Sequence, residues 1–214
     1  MLVNEIFSSI EGEGIRSGYP VTFVRLFGCN LDCPYCDTVY ACKGTEFFKM
    51  SVMEIVSEVA EHGNPRVTLT GGEPLIHRDI FQLVHELTKS GFEVNIETNG
   101  SEYIGEYTDI KNTIITMDYK TPSSGMTDKM DMSNFSILRE QDVLKFVVGS
   151  EEDLDDMKRI IERYKPHCNI FVSPIFGKIQ PVQLVKYIQK NNLQNCRVQL
   201  QLHKFIWAPD QRGV

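Results

Sequence analysis

At 214 residues, 42% hydrophobic and 24% charged, the chain can fill one core and is short for two domains. Its net charge of −7 excludes a nonspecific nucleic-acid binder, which needs a basic face, and no apolar run approaches the roughly 18 residues that cross a bilayer. The start, Met1-Leu2-Val3-Asn4-Glu5, lacks the basic residues and apolar core of a secretory signal, so the cysteines are expected in a reducing cytoplasm.

In chain order, an extended segment is predicted near Val3–Ile10, followed by a strand, Val21-Thr22-Phe23-Val24-Arg25-Leu26-Phe27, that delivers a cysteine-rich loop. Ser51-Val52-Met53-Glu54 is a capping box and opens a helix to about Ala60. Strands predicted near 66–70, 92–97, 113–119, 143–148, 169–173 and 196–201 then alternate with helices near 77–90, 151–164 and 181–191. Pro181 suits a first helical turn, and Leu154, Met157, Ile160 and Ile161 recur at helical spacing. Such alternation predicts an α/β fold of parallel strands with crossover helices, doubly wound or curled toward a barrel. Ligands in both collect at the carboxyl ends of the strands. With no repeat, linker or low-complexity tract, one domain over 1–214 is expected. The stretch 122–135, opening Pro122-Ser123-Ser124-Gly125, reads as a mobile loop with Met126, Met130 and Met132 as packing residues.

The chemistry concentrates in Cys29-Asn-Leu-Asp-Cys33-Pro-Tyr-Cys36. Cys33 and Cys36 alone read equally as half a zinc site or a redox pair. Cys29 changes this, because structural zinc takes four ligands and no second pair follows at finger spacing; His62, His77 and His85 fall in or beside helix-like stretches. Three thiolates suit an iron–sulfur cluster with one iron left open to a small molecule. Cys42, Cys168 and Cys196 have no spacing that suggests a second cluster and read as buried structural thiols.

A second motif, Thr70-Gly71-Gly72-Glu73-Pro74, follows the β-branched run Arg66-Val67-Thr68-Leu69. Paired glycines at a strand end let backbone groups approach a ligand. Together C-x-x-x-C-x-x-C and G-G-E-P resemble the radical S-adenosylmethionine (SAM) superfamily, whose G-G-E-P segment contacts the methionyl amine of SAM. Cys29, Gly71-Gly72 and Glu97-Thr98-Asn99-Gly100 each follow a predicted strand, so all three motifs are expected on one rim.

Four further segments resemble the 7-carboxy-7-deazaguanine synthase family over nearly the whole chain: Phe7-Ser8-Ser9-Ile10-Glu11-Gly12-Glu13-Gly14, Arg25, Cys36-Asp37-Thr38 and Gln201-Leu202-His203-Lys204-Phe205-Ile206-Trp207. The resemblance implies a partial TIM-like (β/α) barrel that pairs as a homodimer. It implies a [4Fe-4S] cluster on Cys29, Cys33 and Cys36, SAM, and Mg²⁺ on Thr38, all used to convert 6-carboxy-5,6,7,8-tetrahydropterin to 7-carboxy-7-deazaguanine with loss of ammonia. An electron donor such as flavodoxin or ferredoxin would reduce the cluster. For SAM the matching positions are Tyr35, Cys36 and Asp37, Gly72 and Glu73, Glu97, Asp118, Tyr119 and Lys120, and Ser173, Pro174, Ile175 and Phe176. For the substrate they are Ile10, Glu11, Gly12, Arg25, Thr70 and Pro209. Without the resemblance Arg25 reads as a strand-end salt bridge, and Thr38 as a loop hydroxyl. The rival readings are a glycyl-radical-enzyme activase and a non-catalytic iron–sulfur electron-transfer module.

Overall fold

The structure, a computed structural model, describes all 214 residues. Nine strands and seven helices run in the order β1 (Leu2–Ile10), β2 (Pro20–Leu26), α1 (Val39–Lys43), β3 (Phe48–Lys49), α2 (Val52–Glu61), β4 (Arg66–Gly71), α3 (Ile80–Lys89), β5 (Glu93–Thr98) and α4 (Gly105–Thr108). They continue as β6 (Thr113–Tyr119), β7 (Val143–Val148), α5 (Glu151–Tyr164), β8 (Asn169–Pro174), α6 (Pro181–Lys190), β9 (Cys196–Val198) and α7 (His203–Ile206). One sheet holds every strand in the order β3-β1-β2-β4-β5-β6-β7-β8-β9. From β2 to β9 all neighbours are parallel. The ends of the sheet do not pair, so the barrel is partial.

Helix boundaries follow local chemistry. Ser51 caps α2 through a complete capping box with Glu54, and Ser150 accepts from the Asp153 amide at the start of α5, whose first turn carries Glu151, Glu152 and Asp153 against the helix dipole. Where a helix was predicted from 77, α3 starts at Ile80, because Pro74–Ile76 forms a short 3₁₀ turn first.

Three expectations change. The opening segment is antiparallel to its neighbours β2 and β3, since a short connection through Gly14–Arg16 permits a return but no parallel crossover. The last strand is three residues long, ending where Gln199 leaves the sheet to bond both backbone groups of Gly14. The stretch 122–135 is a packed string of 3₁₀ turns. Ser124, Met130, Asn134 and Phe135 are buried there, and the Asn134 amide donates to the carbonyls of Gly100 and Glu102.

Period-2 alternation sorts the strands into two faces. Val67, Leu69, Val94, Ile96, Ile115, Met117, Leu144, Phe146, Ile170 and Val172 belong to one continuous core with the apolar stripes of α2, α3 and α5. The intervening Thr68, Thr70, Asn95, Thr116 and Ser173 are buried too, yet polar. A parallel sheet covered on both sides is ordinarily apolar on both faces; this one keeps a polar concave face.

Candidate active site

The concave face and the loops at the strand ends enclose a cavity of about 510 Å³, within the range of small-molecule sites. Its walls include Cys29, Cys33, Cys36, Thr38, Gly72, Glu97 and Lys120, so the three predicted motifs do share one rim. The glycine turn explains how. Gly71 has φ +138°, and a Cβ on Gly72 would sit 1.9 Å from the Gly28 carbonyl oxygen. The Gly72 amide donates to Leu26 O and the Glu73 amide to Gly28 O, locking the turn against the strand end that launches the cysteine loop.

Around the thiols, the Leu31 amide and the Asn99 side-chain amide donate to Cys29 Sγ at 3.4 and 3.8 Å. Cys29 and Cys36 are pulled down to about 6, first by hydrogen bonding from the Cys42 thiol; burial pushes Cys33 up. Three thiols on one wall of the cavity fit an iron–sulfur cluster, whose separate irons each take one thiolate. Two buried polar atoms beside the thiols have no partner in the protein, the Tyr35 hydroxyl and Asp118 Oδ1. A bare glycine cradle next to orphaned polar atoms fits an amino-acid head group such as that of SAM, because buried polar groups need partners.

Of the predicted SAM positions, Tyr35, Cys36, Asp37, Gly72, Glu97, Asp118, Lys120, Ile175 and Phe176 line the cavity. Four do not. Tyr119 alternates with Asp118 and points to the helix side, packed on Phe135 and Phe146 with its hydroxyl donating to Asp156. Ser173 and Pro174 are buried, Ser173 covered by the cavity-lining Glu13, to which its hydroxyl donates at 3.2 Å. Glu73 is turned away from the cavity. Its carboxylate accepts from the Leu75 amide, the Thr98 hydroxyl and the Asn99 amide at 3.0, 2.8 and 2.6 Å, so it holds the rim together and leaves nothing for a ligand.

The predicted substrate positions Ile10, Glu11, Gly12, Arg25, Thr70 and Pro209 all line the cavity. Arg25 does make the strand-end ion pair, Nε to Glu5 Oε1 at 2.7 Å, while its guanidinium lies over Phe7 and Tyr40 and its two terminal nitrogens are free for a second carboxylate. Thr38 Oγ1 lies 3.6 Å from Cys36 Sγ.

Sequence reasoning missed several groups. Cys42 is no remote structural thiol: it lines the cavity with its sulfur 3.9 Å from Cys36 Sγ, carried there by α1, whose Ala41 carbonyl accepts from Gly28. Cys168 and Cys196 pack against the apolar core, and burial raises both to about 11. Lys145 pairs with Glu13 at 3.1 Å, and Gln201 and Ser173 also donate to Glu13. Burial raises the Glu13 carboxyl, but Lys145, Gln201 and His203 together outweigh it and hold the group below its usual range. The alternation Val67-Thr68-Leu69-Thr70, Ile115-Thr116-Met117-Asp118 and Leu144-Lys145-Phe146 was the available signal for this polar face.

The fold and the three-thiol rim define the class, and residues 24–178 match the family model of the Radical SAM superfamily. Within it, the chain belongs to the 7-carboxy-7-deazaguanine synthase family. A synthase of that name from Clostridium acetobutylicum is 44% identical, the match covering 99% of this chain and 98% of that protein, and one from Methanospirillum hungatei is 42% identical over 98% and 86%. The crystal structure of QueE from Escherichia coli superposes with a TM-score of 0.78 at 25% identity, covering 94% of each chain. Relatives named for the synthase over the full length set aside the activase and electron-transfer readings.

Proposed function

We propose that this chain, acting as one domain, converts 6-carboxy-5,6,7,8-tetrahydropterin to 7-carboxy-7-deazaguanine with loss of ammonia, in the reducing cytoplasm. The observation that supports this most is the polar cavity itself, which brings the three thiols, the glycine cradle and a carboxylate-binding arginine into one enclosure. Cys29, Cys33 and Cys36 would hold a [4Fe-4S] cluster, and Gly72, Tyr35, Asp118 and Lys120 the SAM. Bound there, these groups would supply hydrogen-atom abstraction, chemistry that side chains cannot perform.

The residues provide binding and orientation. Arg25 receives the pterin carboxylate on its terminal nitrogens, with its own Nε anchored by Glu5. Thr38 would offer one hard oxygen to a bound Mg²⁺. Lys120, paired with Asp118 at 2.8 Å, places a buried cation beside the thiols; burial opposes its charge, yet Asp118 and Tyr35 hold its pKa above the ordinary lysine value. The Lys204–Asp37 ion pair at 2.7 Å ties α7 to the cysteine loop. A homodimer and a flavodoxin or ferredoxin donor complete the proposal.

The test is anaerobic cluster reconstitution followed by product analysis with reductant, Mg²⁺, SAM and the pterin. Many equivalents of deazapurine per SAM consumed are expected. SAM cleavage without deazapurine would overturn the substrate assignment.

A further inference from the structure

Hydrogen bonds are shared unequally among the three rim thiols. Cys29 Sγ accepts from the Leu31 amide at 3.4 Å and the Asn99 side-chain amide at 3.8 Å. Cys36 Sγ has the Thr38 hydroxyl at 3.6 Å and the Cys42 thiol at 3.9 Å. Cys42 is bonded to Cys29 as well, so one further thiol stands between two of the three thiols assigned to the cluster. Cys33 takes no such bond.

The backbone fixes Cys42 in that place. Its helix α1 is pinned through the Ala41 carbonyl, which accepts from the Gly28 amide at 2.8 Å, and through Tyr40, whose hydroxyl donates to Glu5 at 3.0 Å. Gly28 directly precedes Cys29, and its own carbonyl accepts from the Glu73 amide at 2.8 Å. One glycine thus ties the cysteine loop, the glycine turn and α1 together, with Ala41 fully buried beneath Cys42 in the chain. A free thiol keeps its proton at neutral pH, whereas a thiol that ligates iron gives it up. With Cys29 and Cys36 on iron, Cys42 is the donor in both contacts.

We propose that Cys42 sets the reduction potential of the cluster by donating its S–H to the ligand sulfurs of Cys29 and Cys36. Hydrogen bonds to ligand sulfurs are one of the levers on such potentials, and charge gives the direction. Reduction adds one electron from a one-electron donor, and part of that charge falls on the ligand sulfurs. A bond to a more negative acceptor is stronger, so Cys42 stabilises the reduced form more than the oxidised one. Its proton stays on Cys42 throughout. The cluster is thereby easier to charge, and the driving force for onward transfer to SAM is smaller. Cys42 acts through the ligands and touches no reacting atom, which makes it a positioning residue.

This rests on the cluster assignment and not on the pterin, so the test needs neither SAM nor substrate. Wild-type, Cys42→Val, Cys42→Ala and Cys42→Ser proteins are reconstituted anaerobically, matched for iron and sulfide per chain, and titrated against potential with the electron paramagnetic resonance of the reduced cluster as readout. Valine fills the space without a donor. At the wild-type midpoint its reduced-to-oxidised ratio should fall about tenfold, a shift of about 59 mV to more negative potential for one electron. Cys42→Ala, a second donor-free variant, should move the same way, and Cys42→Ser, which restores an O–H, should lie closer to wild type than either. Wild-type midpoints in Cys42→Val and Cys42→Ala overturn the proposal, as does a serine variant that shifts as far as valine, since filling space would then be the whole role. Wild-type protein that takes up no cluster overturns the cluster assignment itself, and the role of Cys42 with it.

Discussion

Glu73 and Glu11 are both buried, both sit in segments that the sequence singles out, and burial pushes both up to about 7. Behind the glycine turn, Glu73 spends its carboxylate on three donors from two rim segments. On the cavity wall, Glu11 keeps one oxygen open. A shifted carboxyl is therefore no sign of chemistry by itself; what separates a rivet from a ligand-facing group is whether both its oxygens are already used. The thiols divide along the same line, with Cys29, Cys33 and Cys36 on the cavity and Cys168 and Cys196 packed against the apolar core.

The largest effect should come from the cavity-side thiols. Cys29→Ala, Cys33→Ala and Cys36→Ala should each abolish SAM cleavage and the visible absorbance of the reconstituted cluster, because an alanine cannot ligate iron. Near-wild-type turnover in any of the three would remove the basis for the division.

Next, Glu73→Gln tests the rivet. An amide brings its own N–H against one of three buried donors, leaving it unsatisfied, so the variant should lose roughly 2–3 kcal/mol. In a domain of this size that lowers Tm by about 4–12 °C. Glu11→Gln should stay within about 1 kcal/mol of wild type. Equal melting temperatures for the two variants would erase the distinction.

A smaller effect is expected at Thr38. Thr38→Ala should raise the Mg²⁺ concentration needed for half-maximal turnover by several-fold while leaving Tm nearly unchanged, since it lies on a loop and caps no helix amide. Turnover of chelator-treated wild type that is indifferent to added Mg²⁺ would refute the metal site.

The pH responses sharpen the comparison further. Both carboxyls bind protons more tightly folded than unfolded between about 4.5 and about 7, so stability should fall as pH rises through that window. Glu11→Gln should flatten its share of the decline, read as a smaller shift of the urea midpoint. A Glu11→Gln midpoint profile parallel to wild type would place the titration elsewhere. Least of all, Cys168→Ala and Cys196→Ala should keep full activity and cost about 1 kcal/mol each in packing.

Much of this arrangement is legible from local chemistry. Cys29, Cys33 and Cys36 are near one another in the chain, Ser51 and Glu54 form their capping box within one helical turn, and the strands from Arg66 to Pro174 read directly from period and β-branching. The departures have physical causes too. The resemblance implies SAM contact at Tyr119, while period 2 sends its side chain to the opposite face from Asp118 and Lys120, a consequence available from strand geometry alone. Cys42 looked structural because nothing local says that α1 folds back so that Ala41 accepts from Gly28.

The amino-acid sequence by itself determined the family, the parallel architecture and the spacing of the three rim thiols, because motif spacing, capping and alternation depend on residues within a few positions of one another. Only the tertiary structure decided which buried charges are satisfied. Glu13 meets Lys145 across 132 residues and Gln201 across 188, whereas Glu11 is met by Arg16 and Thr68 on one oxygen. Charge balance in a low-dielectric cavity depends on distances in space, and no pattern along the chain encodes them.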